Sequence, residues 1–341
     1  MLEEKLVPEL SEEEADLYDR QIRLWGLESQ KRLRAVRVLV AGMNGLGAEV
    51  SKNLILAGIK SITLLDDKEV SEDDFYSQFM IKRDDIGKNR AHCSKAYAQD
   101  LNPMVKVIAE EGAVAEKDED YFRNFDVVCC TETSTIENLV RINTICRDIG
   151  AKFFCGHVWG FHGYFFTDLI EHTYTQEVRL PPPPKKTETL GPSAAKKPKM
   201  TEEISPIVKK TMTFVPLSRA LQVKAGKSGT GLDKKTSSMF LWLHVLLRFH
   251  EKTKAPPAPS DRESLLEMRD EVANDLDVDK ARISDDLFDN IFGELGATCA
   301  VLGGILGQEI IKVASCKDLP MKNFFLFNGE ECCGLQETVG R

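Results

Sequence analysis

Apolar residues along the chain fall into two alternating patterns. Short runs at 36–41, 62–65, 105–109, 126–130 and 151–155 have no helical period and read as strands buried on both faces. Segments with a helical apolar period lie between them. The first carries Leu46, Val50, Leu54 and Ala57 on one face and ends at Gly58, a residue tolerant of positive φ. A second opens after Gly87 and is stopped by Asn102-Pro103, and a third covers 134–149 and ends on Gly150. This alternation predicts an α/β chain with a Rossmann-like, doubly wound, mostly parallel sheet. Its clearest unit is 36–67, which reads as strand, glycine-rich turn, helix and strand.

The flanks add further elements. Ser11-Glu12-Glu13-Glu14 has the pattern of a capping box and predicts a helix to about Arg34, bent or broken at Gly26. Within it Arg20 and Arg23 share a face, with Ile22, Leu24 and Trp25 turned elsewhere. Residues 156–170 alternate and carry paired aromatics, which predicts antiparallel strands added at the sheet edge. A four-proline run at 181–184 and the lysine-rich residues after it mark 178–210 as a disordered insertion. A strand is expected at 211–216, an apolar helix at 236–250, and helices near 262–274 and 285–292 after a second proline-rich linker. A long helix over 294–315, with small residues suited to close packing, precedes a buried strand at 324–327. The chain thus divides into a first Rossmann-like part (1–177), the insertion (178–210), a strand plus small helical subdomain (211–292) and a segment that completes the fold (293–341).

Composition narrows the function classes. The 341 residues are 42% hydrophobic and 29% charged, as expected of a globular protein, and no apolar run is read as approaching the ~20 residues that span a bilayer. The acidic N-terminus has no apolar core of a secretory signal. A net charge of −9 argues against general nucleic-acid binding. Nine cysteines, several inside apolar runs and none in a CxxC pair, fit a reduced protein without a cysteine zinc site. His157 and His162 lack acidic companions and read as structural. Lys196, Lys197 and Lys199, flanked by prolines, read either as a nuclear-import signal or as a solvated linker, and nuclear residence is the expectation.

The candidate chemistry centres on the turn Gly42-Met43-Asn44-Gly45-Leu46-Gly47. Gly42 and Gly47 sit where a dinucleotide-type turn needs them, and Asp66 lies about twenty residues on, where a ribose-binding acid belongs. The position at which phosphate approaches the backbone is Asn44, whose Cβ obstructs it. Two readings follow: a Rossmann-like fold with a decayed nucleotide site, or a site that still binds. A nicotinamide-dependent dehydrogenase finds no acid/base residues downstream.

Several motifs in order resemble the ubiquitin-like-modifier activating (E1) family, in its heterodimeric, SUMO-directed branch. These are DRQIRLWG at 19–26, Gln78-Phe79, the helix after Gly87, LNP at 101–103, GHVWGFHGY at 156–164 and ATCAVLGGILGQEIIK at 297–312. The similarity covers residues 18 to about 329. In that family two related adenylation halves pair and one holds ATP. This chain departs from the ATP-holding half at Asn44 (glycine there), Lys68 (aspartate), Tyr76 and Ser77 (asparagine and arginine) and Arg90 (lysine). It also lacks the family's catalytic-cysteine motif and zinc-binding cysteine pairs. The resemblance implies the half that binds neither ATP nor metal itself, with Gly42, Asn44, Gly45, Gly47, Asp66, Lys68 and Arg90 marking the degenerate pocket. It implies ATP and Mg held by a large, cysteine-bearing partner subunit, SUMO as the modifier, and Arg20 reaching the partner's ATP phosphates in trans. A self-sufficient homodimeric adenylating enzyme, like bacterial relatives, and a small subunit for another ubiquitin-like modifier are the alternatives.

Overall fold

The structure is a computed structural model and describes residues 9–132, 134–177, 207–225 and 232–340. Three short helices, α1 (Glu12–Leu17), α2 (Asp19–Trp25) and α3 (Leu27–Leu33), lead into β1 (Arg37–Ala41), α4 (Gly45–Ala57), β2 (Ser61–Asp66), α5 (Arg90–Leu101) and β3 (Lys106–Glu111). After α6 (Glu119–Phe122) come β4 (Val127–Cys130), α7 (Ile136–Ile149), β5 (Lys152–Trp159), β6 (His162–Asp168), β7 (Glu171–Glu177) and β8 (Ile207–Thr213). The chain closes with α8 (Leu217–Leu221), α9 (Ser238–Thr253), α10 (Arg262–Leu276), α11 (Gly296–Ser315), β9 (Phe324–Asn328) and β10 (Cys333–Glu337).

Eight strands form one sheet in the order β10-β9-β6-β5-β4-β1-β2-β3. The five from β5 to β3 are parallel, and β6, β9 and β10 extend that sheet antiparallel. The predicted doubly wound sheet with antiparallel edge strands is therefore present. Successive β1 residues alternate between two cores: Leu39 and Ala41 join one, Val38 and Val40 the other. Burial on both faces explains why this strand reads as a continuous apolar run. On one face α4, with Leu46, Val50 and Leu54 fully buried, packs beside α11. Gly303 and Gly307 of α11 lie against Glu49 and Asn53 of α4, so small residues do bring the two helices close. Truncating a buried leucine such as Leu54 to alanine would cost about 2–5 kcal/mol.

Several expectations change. The capping box at Ser11 and Glu14 forms, but the helix it opens breaks at Tyr18 as well as at Gly26. Strand β8 starts at Ile207, four residues inside the stretch assigned to the insertion; 178–206 lie outside the described residues. Residues 285–288 make only a 3₁₀ turn, because Leu287 and Phe288 reach the core without the period of a longer helix. The helical segment shares its core with the sheet: Trp242 and Phe240 of α9 cluster with Phe153 and Phe166, and Trp242 Nε1 donates to the Leu287 carbonyl at 3.0 Å. Helix α11, 20 residues long, is apolar enough by length and composition to cross a membrane, contrary to the reading of the apolar runs, yet 61% of its 18-residue apolar window is buried inside the fold.

Candidate functional site

Strands β1 and β4 are parallel neighbours, and the chain leaves them for opposite faces of the sheet, which opens a crevice at their C-terminal ends. Gly42 follows β1 into this crevice, and Thr131 and Glu132 follow β4. Gly42 adopts φ 103°, and a side chain there would run into the backbone of Glu132. A Cβ on Gly47 would collide with the Gly42 carbonyl, to which Thr131 Oγ1 donates at 2.7 Å. The turn is therefore built as the sequence predicts.

Its anion-binding donors are already engaged. Asn44 sits at φ −73°, extended backbone that any residue adopts, and acts as the N-cap of α4: its Oδ1 accepts the Gly47 N–H at 2.9 Å. Asn44 Nδ2 donates to the Thr131 carbonyl at 2.8 Å and to Glu294 Oε1 at 2.7 Å. Glu294 Oε2 accepts the Gly45 N–H at 2.9 Å and the Ser77 hydroxyl at 3.0 Å. A carboxylate from just before α11 thus lies at the N-terminus of α4, where backbone N–H groups and the helix dipole favour an anion. Burial raises the Glu294 pKa, opposed by the Gly45 and Ser77 bonds.

Asp66 and Arg90 are engaged in the same way. Fully buried Asp66 accepts the Met43 N–H at 2.6 Å and Arg90 Nε at 3.0 Å through Oδ2, and the Lys68 N–H at 2.9 Å through Oδ1. The second face of the Arg90 guanidinium donates to Asp74 at 2.8 Å. Burial works against the charge on Arg90, yet Asp66 and Asp74 hold its pKa above the usual value. Lys68 is exposed at the rim. Glu132, at the crevice floor, is lifted to about pKa 7 by burial and then by Asp67 and Asp66. Buried Gln78 ties this layer to the loop, donating to the Met43 carbonyl and Ser94 Oγ, both at 3.0 Å. The space left is about 230 Å³, below the roughly 300–1,000 Å³ of small-molecule pockets. These residues do not fit a nucleotide. The sequence reading names Ser77 only as a departure from the ATP-holding half and does not name Glu294, for which a carboxylate directly ahead of an apolar helix is the one available signal.

Arg20 lies elsewhere. Tyr18 is buried, its hydroxyl accepting from Asn102 Nδ2 at 2.8 Å; Gln21 donates to the Leu56 carbonyl at 3.1 Å and Trp25 to Gln30 at 2.9 Å. Asn102 and Gln30 in turn donate to the Ile55 and Ala57 carbonyls, so α2 is held at the C-terminal end of α4, roughly 20 Å from the glycine turn at the other end of that helix. Arg20, Arg23 and Leu24 are left facing outward. Arg23 pairs with Asp19 at 3.0 Å, whereas Arg20 makes no ion pair among the described residues. Leu24 is 73% exposed and one turn beyond Arg20, so it shares that face; the expectation that it turns elsewhere is corrected. Leu17 and Leu27, also exposed, flank them.

His157 and His162 belong to an aromatic cluster: His157 stands edge-on to Trp159, and Trp242 contacts both Trp159 and His162. Among the described residues no group of three or more metal-type side chains converges. All nine cysteines are free thiols, and burial pushes that of Cys129 up to about 12.

The profile of the ThiF family matches residues 18–332. Over 97% of its length the chain is 46% identical to SUMO-activating enzyme subunit 1 of Xenopus tropicalis, covering 97% of that protein. It is 42% identical to the Homo sapiens protein of the same name, covering 97% of this chain and 96% of the relative. The Danio rerio counterpart is 43% identical over 96% of this chain and 95% of its own length. The sheet order and these relationships agree with the resemblance drawn from the motifs. The chain belongs to the ThiF family, as a homologue of SUMO-activating enzyme subunit 1 along nearly all of its length.

Proposed function

We propose that this chain is one half of a heterodimeric enzyme that activates SUMO by adenylating its C-terminal carboxylate, and that it works by lending Arg20 to the nucleotide site of its partner. The observation that carries this reading is the pairing of an exposed arginine, without an acidic partner among the described residues, and an exposed leucine on one helix face, Arg20 with Leu24. A charged group left unpaired beside exposed apolar surface is what an interface residue looks like in a free subunit.

Adenylation brings a carboxylate against an α-phosphate, two anions meeting, and releases pyrophosphate. ATP and Mg supply that chemistry in the partner subunit, which also carries the cysteine that accepts the modifier as a thioester. This chain's contribution is electrostatic. A guanidinium enclosed in a dry interface offsets the accumulated negative charge and presents planar paired donors to phosphate oxygens. Tyr18, Gln21 and Trp25 fix α2 and so set the direction in which Arg20 projects. The chain's own crevice takes no part, its donors being committed to Glu294, Asp66 and Asp74. Nuclear residence, through Lys196, Lys197 and Lys199, completes the proposal; those residues lie outside the described ones.

The test is SUMO-dependent ATP–pyrophosphate exchange with this chain alone, with the cysteine-bearing subunit alone, and with the two mixed. Exchange in the mixture only is expected. Exchange by this chain alone would replace the proposal with a self-sufficient adenylating enzyme.

A further inference from the structure

The mismatch between the Rossmann crevice and a nucleotide has a specific origin. The turn keeps its glycines, and the N-terminus of α4, a 13-residue helix, still points into the crevice. An intact turn of this kind binds anions. Asn44 takes one donor of the turn, its Oδ1 accepting the Gly47 N–H as an N-cap, and leaves the Gly45 N–H to another group. What occupies the anion position is a side chain from 249 residues away.

We infer that Glu294 is the resident anion of this half: its carboxylate takes the phosphate position at the start of α4, and it is the residue that decides that this half excludes nucleotide. The inference deepens the proposed division of labour between two halves and rests on it. Three features support it. Both carboxylate oxygens are held by neutral donors, Gly45 N–H, Ser77 Oγ and Asn44 Nδ2, at 2.7 to 3.0 Å, the donor types that hold phosphate oxygens. No lysine or arginine pairs with Glu294 among the described residues, so it is not there to close an ion pair. The 230 Å³ space beside it is bordered by Lys68 and by Arg90, whose donors are committed to Asp66 and Asp74, and also by Asp73, Asp74 and Glu132, so a small polyanion entering the crevice meets carboxylates in its wall and Glu294 at its end. Like charges forced together repel, which excludes phosphate while Glu294 stays.

The test uses the full chain and inorganic pyrophosphate as the probe. In Glu294→Ala the Gly45 and Ser77 donors are freed, and pyrophosphate affinity measured by equilibrium dialysis is expected to rise roughly 10–100-fold over wild type. Glu294→Gln, isosteric and neutral, keeps an acceptor for Gly45 and is expected to fall between them. It also serves if the alanine variant does not fold. A folded Glu294→Ala or Glu294→Gln that binds no more pyrophosphate than wild type would overturn the inference. A third measurement needs no variant: in the wild-type chain the Gly45 amide resonance is expected to stay fixed as pyrophosphate is added. Movement of that resonance at millimolar pyrophosphate would show that Glu294 does not exclude the anion. The Arg20→Ala exchange assay is read separately: its failure would remove the role in trans and leave the binding result standing.

Discussion

Asp66 and Arg90 meet at 2.9 Å in the interior of the crevice, with Asp66 fully buried and the arginine side chain only 9% exposed. The acid at the position where a dinucleotide-type turn holds a ribose is bonded instead to the arginine beside it. Removing one member of a buried pair strands the other's charge and typically costs 3–5 kcal/mol. Arg90→Ala is therefore expected to lower unfolding free energy in urea by about that much. Arg90→Lys, which keeps the charge but loses the fork that bridges Asp66 and Asp74, is expected to lose less. An alanine variant as stable as wild type would show that the pair is dispensable.

Arg20→Ala in the assembled heterodimer is expected to reduce SUMO-dependent ATP–pyrophosphate exchange by roughly 10²–10³-fold, the usual effect of one preorganised donor. The stability of the free chain is expected to stay within about 0.5 kcal/mol, since the side chain is exposed. Arg23→Ala is the control: its guanidinium already pairs with Asp19, and exchange is expected to be close to wild type. Equal losses from both would reassign the effect to the helix as a whole.

Leu24→Ser probes the same face without touching charge. Sedimentation of the mixed subunits is expected to show association weakened roughly tenfold, about 1.4 kcal/mol. The melting temperature of the free chain is expected to be unchanged, because Leu24 is 73% exposed. Unaltered association would place the partner elsewhere.

Glu132 gives a pH signature. Its folded pKa of about 7 lies above the ordinary 4.5, so the native chain retains a proton that the unfolded chain releases between these values. Stability from this group is therefore present below about pH 4.5 and is lost as pH rises toward 7, by about 2–3 kcal/mol. Glu132→Gln removes that loss: its advantage over wild type is expected to grow by this amount from pH 4.5 to 7 and then level off. His157, His172 and His244, held low at about 3 to 4 by burial, act in the opposite direction below pH 6.5 but cancel in the comparison. A difference that stays flat with pH would mean that Glu132 ionises normally.

What the sequence makes legible is what it encodes locally. The period of Leu46, Val50 and Leu54, the glycines of the turn and the β-branched run of β1 fix the βαβ unit, and these are neighbours in the chain. The motif departures at Asn44, Lys68 and Arg90 mark the crevice as altered, but not how. The answer lies in partners 23 to 250 residues apart, Met43 with Asp66 and Asn44 with Glu294 among them, and no local pattern announces such pairs. Strand β10 went unread because only two of its five residues are even partly buried, so it lacks an apolar period. Leu24 shares the exposed face of Arg20 because apolar character alone does not fix which way a side chain turns.

Glu294 also sets an order of events. The turn at 42–47, strand β1 and helix α4 leave the ribosome long before the segment that carries Glu294. Until that segment emerges, the Gly45 N–H of the turn and the Ser77 hydroxyl beside it have no carboxylate to meet. Closure of the crevice thus waits on chain made well after the turn, and it coincides with the docking of α11 against α4. A chain truncated before residue 294 would be open at the turn and incomplete in its core at once, so the state that could take up a stray phosphate is also the state least able to persist.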